Sequence, residues 1–469
     1  MAELISENDP LISGAFEPVR EEMDRPALEV EGRLPSGLNG TFYRIGPNPR
    51  FRPRAPYNPL NGDGMIHAFQ IAGGRARYLN RWVRTVQWRN EDAAGRGLFG
   101  TSGMPHDRDE SVIGLPTDGA ANTSLVSHAG RFLALEEAHG PIAIDARSLE
   151  TLGRADFGGL PRNFIAHPKI DPVTGEMIGF ANFPTGRLTG EVGVYRIGAD
   201  GRWIAGEKVT GPFAGLIHDF AITEHFIILP FCPVTASFER AMAGGPPMAW
   251  EPGLGTHLGV IRRDGSVDDI RWFEGPAGMA WHVMNAFDAD GRVEIDVCLQ
   301  DAAVFPLADG GASAPQLTVQ RLARWTFDWD GPRRFEARAM GPLPCEYPRI
   351  DERRTGRPYR HGFLAAEGGP GTSDLFHRAI ARFDRETGAF DVWRALHSAV
   401  GEPVFAARPG SAAEGDGWLL AVVYDEETRL SHLAVFEALD VAAGPVARVH
   451  AGVRIPMGFH GCWRDNGGP

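Results

Sequence analysis

Cysteine is scarce and scattered. Cys232, Cys298, Cys345 and Cys462 are the four in 469 residues, with no Cys-x-x-Cys among them. That argues against a disulfide framework or a thiolate zinc site and fits a reducing compartment. Basic charge is also short: 47 Lys and Arg against 60 Asp and Glu leave a net charge of −13. Nucleic acid, which is met by clustered cations, is therefore not an expected partner. No apolar run approaches the roughly 18 residues that a spanning helix needs. The first ten residues lack the basic and apolar regions of a signal peptide, so a cytoplasmic protein is expected. Gly-x-Ser-x-Gly, Gly-x-x-x-x-Gly-Lys-Ser/Thr and a Gly-x-Gly-x-x-Gly opening a helix after a strand are all missing. Helical periodicity is rare too, and residues 236–243 offer its best short example.

Turns are abundant. The 59 glycines and 36 prolines are spread along the whole chain, so they read as many connections and not as one disordered tract. Gly73-Gly74, Asp200-Gly201, Asp264-Gly265, Asp290-Gly291 and Thr387-Gly388 stand between apolar runs, the pattern of β-hairpins. The runs themselves are strand-like, as in 226–229 and 418–424. Short strands at near-regular spacing, without βαβ alternation, predict an all-β closed sheet or propeller. With no convincing linker, residues 1–469 are expected to form one β domain. Pro10, Pro18, Pro26 and Pro35 predict an irregular arm over 1–35. Residues 231–255, with Phe238, Met242, Met248 and Trp250, predict an apolar, turn-rich cap.

Four of the fifteen histidines share a context. His167, His218, His282 and His460 each have an aromatic within three residues and a turn nearby, as expected where a strand edge faces a dry pocket. Imidazoles converging there could hold a metal. A lone histidine in an apolar run is more often a core residue, and gaps of about fifty, sixty and nearly two hundred residues lack the compact spacing of His-Glu-x-x-His sites. On the residues alone, both readings stay open.

The surrounding motifs resemble the carotenoid cleavage oxygenase family, which includes lignostilbene and other aryl-alkene dioxygenases. The likeness runs from Leu38-Asn39-Gly40-Thr41-Phe42-Tyr43-Arg44-Ile45-Gly46-Pro47 and Gly62-Asp63-Gly64-Met65-Ile66-His67 to Phe459-His460-Gly461. It implies a seven-bladed β-propeller with a loop and short-helix cap over its top face. It also implies Fe(II) on the axis held by His167, His218, His282 and His460, with Glu137, Glu346 and Glu402 accepting from the ligand imidazoles. Thr123 matches a residue that crowds one coordination position. The implied reaction is cleavage of a C=C bond by O2 into two carbonyl fragments.

Substrate is where the motifs diverge. The resemblance places a lysine that grips a 4-hydroxyphenyl ring where this chain has Glu136, and no tyrosine occurs between Trp82 and Arg131. These departures shift the expectation to an apolar, apocarotenoid-like polyene. A stilbene-type aryl alkene is the alternative, with a non-cleaving isomerase and a metal-free binding scaffold as rivals. Residues 231–255 are the expected point of any peripheral membrane contact.

Overall fold

The computed structural model describes residues 4, 6, 8–54, 57–100, 108–160, 162–186, 188–311, 319–368 and 376–466. Its antiparallel ladders sort into seven blades around a central axis. Blades 2, 3 and 4 are four-stranded sheets that begin at Ser124–His128, Lys169–Ile170 and Ala221–Ile222. Blades 5 and 6 share one long strand, Glu336–Ile350. Its first part pairs with Arg321–Asp328 and its second part with His361–Gly368. Blade 7 is built on Gly417–Asp425, and blade 1 on Gly40–Pro47 and Gly64–Ala72.

The two ends of the chain close the ring. The last strand, Gly461–Asp465, pairs with Gly40–Pro47 on the axial side of blade 1. Glu29–Gly32 adds an outer strand to blade 7, and Asp24–Arg25 one to blade 1. The 1–35 stretch is therefore not wholly irregular. Between its prolines lies room for two short strands, each needing only an exposed edge to pair with.

Packing confirms the count of blades. Among the described residues, seven large apolar clusters fall one at each junction between neighbouring blades. Strand Gly417–Asp425 shows why the sequence reads as an unbroken apolar run. Trp418, Leu420 and Val422 pack toward blade 1, whereas Leu419, Ala421 and Val423 pack toward blade 6. A strand buried on both faces has no solvent side for polar residues, so the usual alternation disappears. The hairpin turns form where the glycine pairs stand. Gly73 and Gly74 have φ of 57° and 73°, and Asp290 and Gly291 have 51° and 79°, which a type I′ turn demands.

Two short α-helices occur among the described residues. Phe238–Met242 lies within the predicted 236–243 stretch, in the cap segment, beside a small hairpin of Val234–Ala236 and Met248–Trp250. Val86–Ala94 is not foreseen by periodicity because only Trp88 and Glu91 are buried on it. Its ends are nevertheless written locally, with Thr85 accepting from the Trp88 N–H and Gly95 turning left-handed after it.

Near the axis, backbones touch. A Cβ on Gly46 would run into Gly458 Cα, in the segment that leads to His460. Gly46→Ala is expected to destabilise the fold by about 1–3 kcal/mol through overpacking, measurable by denaturant unfolding against wild type.

Candidate metal centre

All seven blades send a polar side chain to the same place, blade 2 through Glu137, two residues after Arg131–Leu135. His167 comes two residues before Lys169–Ile170 in blade 3, and His218 three residues before Ala221–Ile222 in blade 4. His218 is thus in the approach to a strand and not within it, contrary to the strand-like appearance of its surroundings. His282 lies inside Met279–Ala289 of blade 5, where the register slips on both sides of Val283. A bulge of this kind turns a side chain out of its regular alternation. His460 directly precedes the closing strand Gly461–Asp465 of blade 1. Blade 6 contributes Glu346, and blade 7 contributes Glu402 from the gap between Ser398–Val400 and Val404–Ala407.

All four predicted histidines meet. The His167 ring centroid is 4.8, 5.1 and 4.6 Å from those of His218, His282 and His460. His218 and His282 are 4.9 Å apart, and His282 and His460 4.8 Å. Three of them are tied from behind by carboxylates. His282 Nδ1 lies 2.7 Å from Glu346 Oε2, and His460 Nδ1 lies 2.9 Å from Glu402 Oε1. Glu137 Oε1 is 2.8 Å from His218 Nδ1, an ion-pair contact set off the line of a good hydrogen bond. Among the described residues no carboxylate is hydrogen-bonded to His167; the other imidazoles and Lys169 all disfavour its protonation.

This arrangement tests well against a metal. An imidazole whose Nδ1–H is held by a carboxylate presents the Nε2 lone pair forward. The Nε2 atoms of His218 and His282 face one another at 3.1 Å, and the buried His167 Nε2 has no hydrogen-bond partner. Neutral nitrogens stacked this way repel unless a cation lies among them. Ligand atoms of His167, His282 and His460 lie within 4.8 Å of one another, as do those of Glu137, His167 and His218. An all-imidazole set suits iron and its neighbours in the transition series.

Protonation favours a neutral imidazole at two of these histidines. Burial, then the neighbouring imidazoles, hold the His167 pKa well below its ordinary value. Burial also lowers His460, against the pull of Glu402. At His282 burial acts the same way, but the Glu346 charge and hydrogen bond outweigh it and raise the pKa overall. Burial by itself would raise Glu402; the Arg349 guanidinium and His460 overcome it and bring it down to about 2. Glu402 stays a carboxylate throughout the neutral range.

Several supporting residues carry no signal in the sequence. Arg349 Nη1 sits 3.1 Å from Glu402 Oε2 and donates to the Gly461 carbonyl at 3.0 Å. Asp219 bridges three blades' worth of inner chain: it meets Lys169 Nζ at 2.7 Å and accepts from the Val283 N–H at 2.8 Å. It thereby locks the neighbours of His167, His218 and His282 together. Thr123 is buried; its hydroxyl donates to Asn122 at 2.9 Å, and its carbonyl accepts from the His460 N–H at 3.2 Å. A cavity of about 420 Å³ reaches His167, His282 and His460, with Lys169, Asn285 and Arg353 also in its wall. Aromatic rings stand on the cluster as well: Trp281 is edge-on to His218 at 4.9 Å, Phe305 stacks on Trp281 at 6.0 Å, and Tyr347 stacks on His282 at 5.7 Å.

Glu402→Gln is expected to weaken divalent-metal affinity about 10- to 100-fold while leaving the circular dichroism spectrum unchanged. Titration against a competing chelator measures it, and an unaltered affinity would show that Glu402 does not tune His460.

Comparison with known proteins matches this geometry. A family model described as retinal pigment epithelial membrane protein covers residues 16–465. Isoeugenol monooxygenase of Pseudomonas nitroreducens is 35% identical over 98% of both chains. The apocarotenoid-15,15'-oxygenase of Synechocystis is 31% identical over 94% of both. The crystal structure of Pseudomonas brassicacearum lignostilbene dioxygenase superimposes with a TM-score of 0.92 at 35% identity, covering 98% of this chain and 99% of that one. The chain belongs to the carotenoid cleavage oxygenase family of alkene-cleaving dioxygenases.

Proposed function

We propose that the protein is a non-haem Fe(II) dioxygenase that cleaves the C=C bond of an aryl-substituted alkene with O2 into two carbonyl compounds. His167, His218, His282 and His460 hold the iron in this reading, and Glu137, Glu346 and Glu402 set the imidazoles behind it. The observation that carries it is the pair of opposed Nε2 atoms 3.1 Å apart, each on a ring whose Nδ1 faces a carboxylate oxygen within 2.8 Å. Ferrous iron bound there supplies the centre that activates O2, since four neutral ligands leave it its full charge and open positions. The chain's own residues do the rest. Arg349 keeps Glu402 ionised, and Glu402 keeps the His460 Nδ1 proton in place. Thr123, hydrogen-bonded to the His460 backbone, shapes the space beside the iron.

An aryl alkene is favoured here over the apocarotenoid-like polyene expected from Glu136. Relatives named for isoeugenol and lignostilbene are 35% identical, against 31% for the apocarotenoid enzyme. Flat rings of Trp281, Phe305 and Tyr347 around the histidines suit an aryl group, which stacks offset or edge-on. Glu136 is buried, with its carboxylate hydrogen-bonded to His139 and to the Ala138 N–H. It offers a substrate phenol no cation. Residues 101–107 of the nearby loop lie outside the described residues.

With iron, ¹⁸O₂ and a panel of stilbenes, propenylphenols and apocarotenals, label is expected in both carbonyl products of an aryl alkene. Cleavage confined to apocarotenals would restore the polyene. An unlabelled geometric isomer would point to an isomerase, and a chain that stays iron-free after anaerobic reconstitution to a scaffold.

Peripheral membrane contact through residues 231–255 belongs to the same proposal. Phe238, Met242 and Leu254 are 50, 66 and 42% exposed there, three large apolar side chains in one segment. No helix among the described residues is long and apolar enough to cross a membrane. The protein is expected to float with phospholipid vesicles and the Phe238→Ser/Met242→Ser variant to remain below; equal behaviour of the two would remove this contact.

A further inference from the structure

The residue after Glu346 is held in an unusual state. Tyr347 has a φ of 52°, a left-handed conformation that costs a bulky residue energy and persists only where the surroundings enforce it. Two contacts enforce it here. The Tyr347 N–H donates to the same Glu346 oxygen that holds His282. Its ring is stacked on His282 at 5.7 Å and edge-on to His460 at 5.4 Å and to His377 at 5.9 Å. Packing on imidazoles explains the ring. It leaves the hydroxyl without a purpose, since a phenylalanine would pack as well.

The hydroxyl's setting supplies one. Tyr347 is partly exposed although Cys345, Glu346 and Pro348 around it are buried. Its ring rests on two of the four histidines, which sets the residue at the edge of the cluster. No hydrogen bond to its hydroxyl is found among the described residues. Close by, Arg44 is 3% exposed; its Nη2 donates to the Gly458 carbonyl at 2.9 Å, but Nε and Nη1 have no partner. Burial apart, Tyr347 and Glu402 are the leading electrostatic neighbours of this guanidinium. A buried, half-paired cation is costly.

We infer that Tyr347 is a specificity-determining residue whose hydroxyl donates a hydrogen bond to an oxygen atom borne by the alkene substrate. It selects alkenes carrying a hydroxyl, ether or carbonyl oxygen over hydrocarbons of the same shape. The inference rests on the aryl-alkene reading of the site and adds the polar contact that Glu136 does not provide. A site built around a donor discriminates against analogues that leave the donor unpaired.

The test is Tyr347→Phe in the iron-loaded, full-length protein, which keeps the ring against His282. Probes are an unsubstituted stilbene and its hydroxylated and methoxylated analogues. Dissociation constants come from tryptophan fluorescence under anaerobic conditions and kcat/KM from turnover in air. The variant is expected to bind the oxygenated probes about 5- to 30-fold more weakly, with the unsubstituted stilbene within about twofold of wild type. Iron content and the unfolding midpoint should match wild type, which a merely structural tyrosine would also allow; the split between probes is what separates the two. Equal loss for every probe, or no loss for any, overturns the inference while leaving wild-type cleavage intact. A wild-type protein that neither binds nor cleaves any of the probes overturns the aryl-alkene reading itself, and this inference with it.

Discussion

The hydrogen bond from His460 to Glu402 crosses the seam at which the ring closes. Glu402 belongs to blade 7, and His460 opens the strand that completes blade 1. The pair can meet only if the final strand is seated, because the Gly461 N–H donates to the other oxygen of the same carboxylate at 2.7 Å. Ring closure and assembly of the centre are therefore one event. Backbone bonds add to it: Ile45 donates to the His460 carbonyl, and His460 to the Thr123 carbonyl, so that blades 1 and 2 grip the same residue.

Burying carboxylates beside imidazoles is tolerable only when every charge has a partner. Glu402 has Arg349 and His460; Glu346 has His282 and a backbone N–H. His167 has none and needs none, since burial among other imidazoles keeps it neutral. A divalent cation placed among these groups meets neutral nitrogens first and negative charge one layer behind. That order favours the ligating tautomer over the protonated one and explains why carboxylates stand behind the rings and not in front of them.

Around this centre the walls divide in character. Charged and polar groups such as Lys169, Asn285 and Arg353 border the cavity that reaches three of the histidines. Aromatic rings rest directly on His218 and His282. The contrast is what a site for an apolar, ring-bearing molecule requires: surfaces for stacking near the reacting bond, and few donors placed with purpose. Glu136, closed on His139, is not among those donors; in the inference drawn above, the hydroxyl of Tyr347 is.

Local patterns determined much of this protein. Glycine pairs marked hairpins because only residues tolerant of positive φ can occupy them, and unbroken apolar runs marked strands buried on both faces. The aromatic-flanked contexts of His167, His218, His282 and His460 stood out before any fold was known, and the family motifs joined them into one set with Glu137, Glu346 and Glu402. Other features were decided by tertiary structure alone. The strands at 24–25 and 29–32 exist because blades 1 and 7 offer edges to them, and helix Val86–Ala94 carries too little apolar periodicity to announce itself. Arg349, Asp219 and the strained Tyr347 owe their importance to neighbours brought from other blades. A centre drawn from seven blades leaves no spacing rule in the chain, because its residues become neighbours only when the last strand closes the ring.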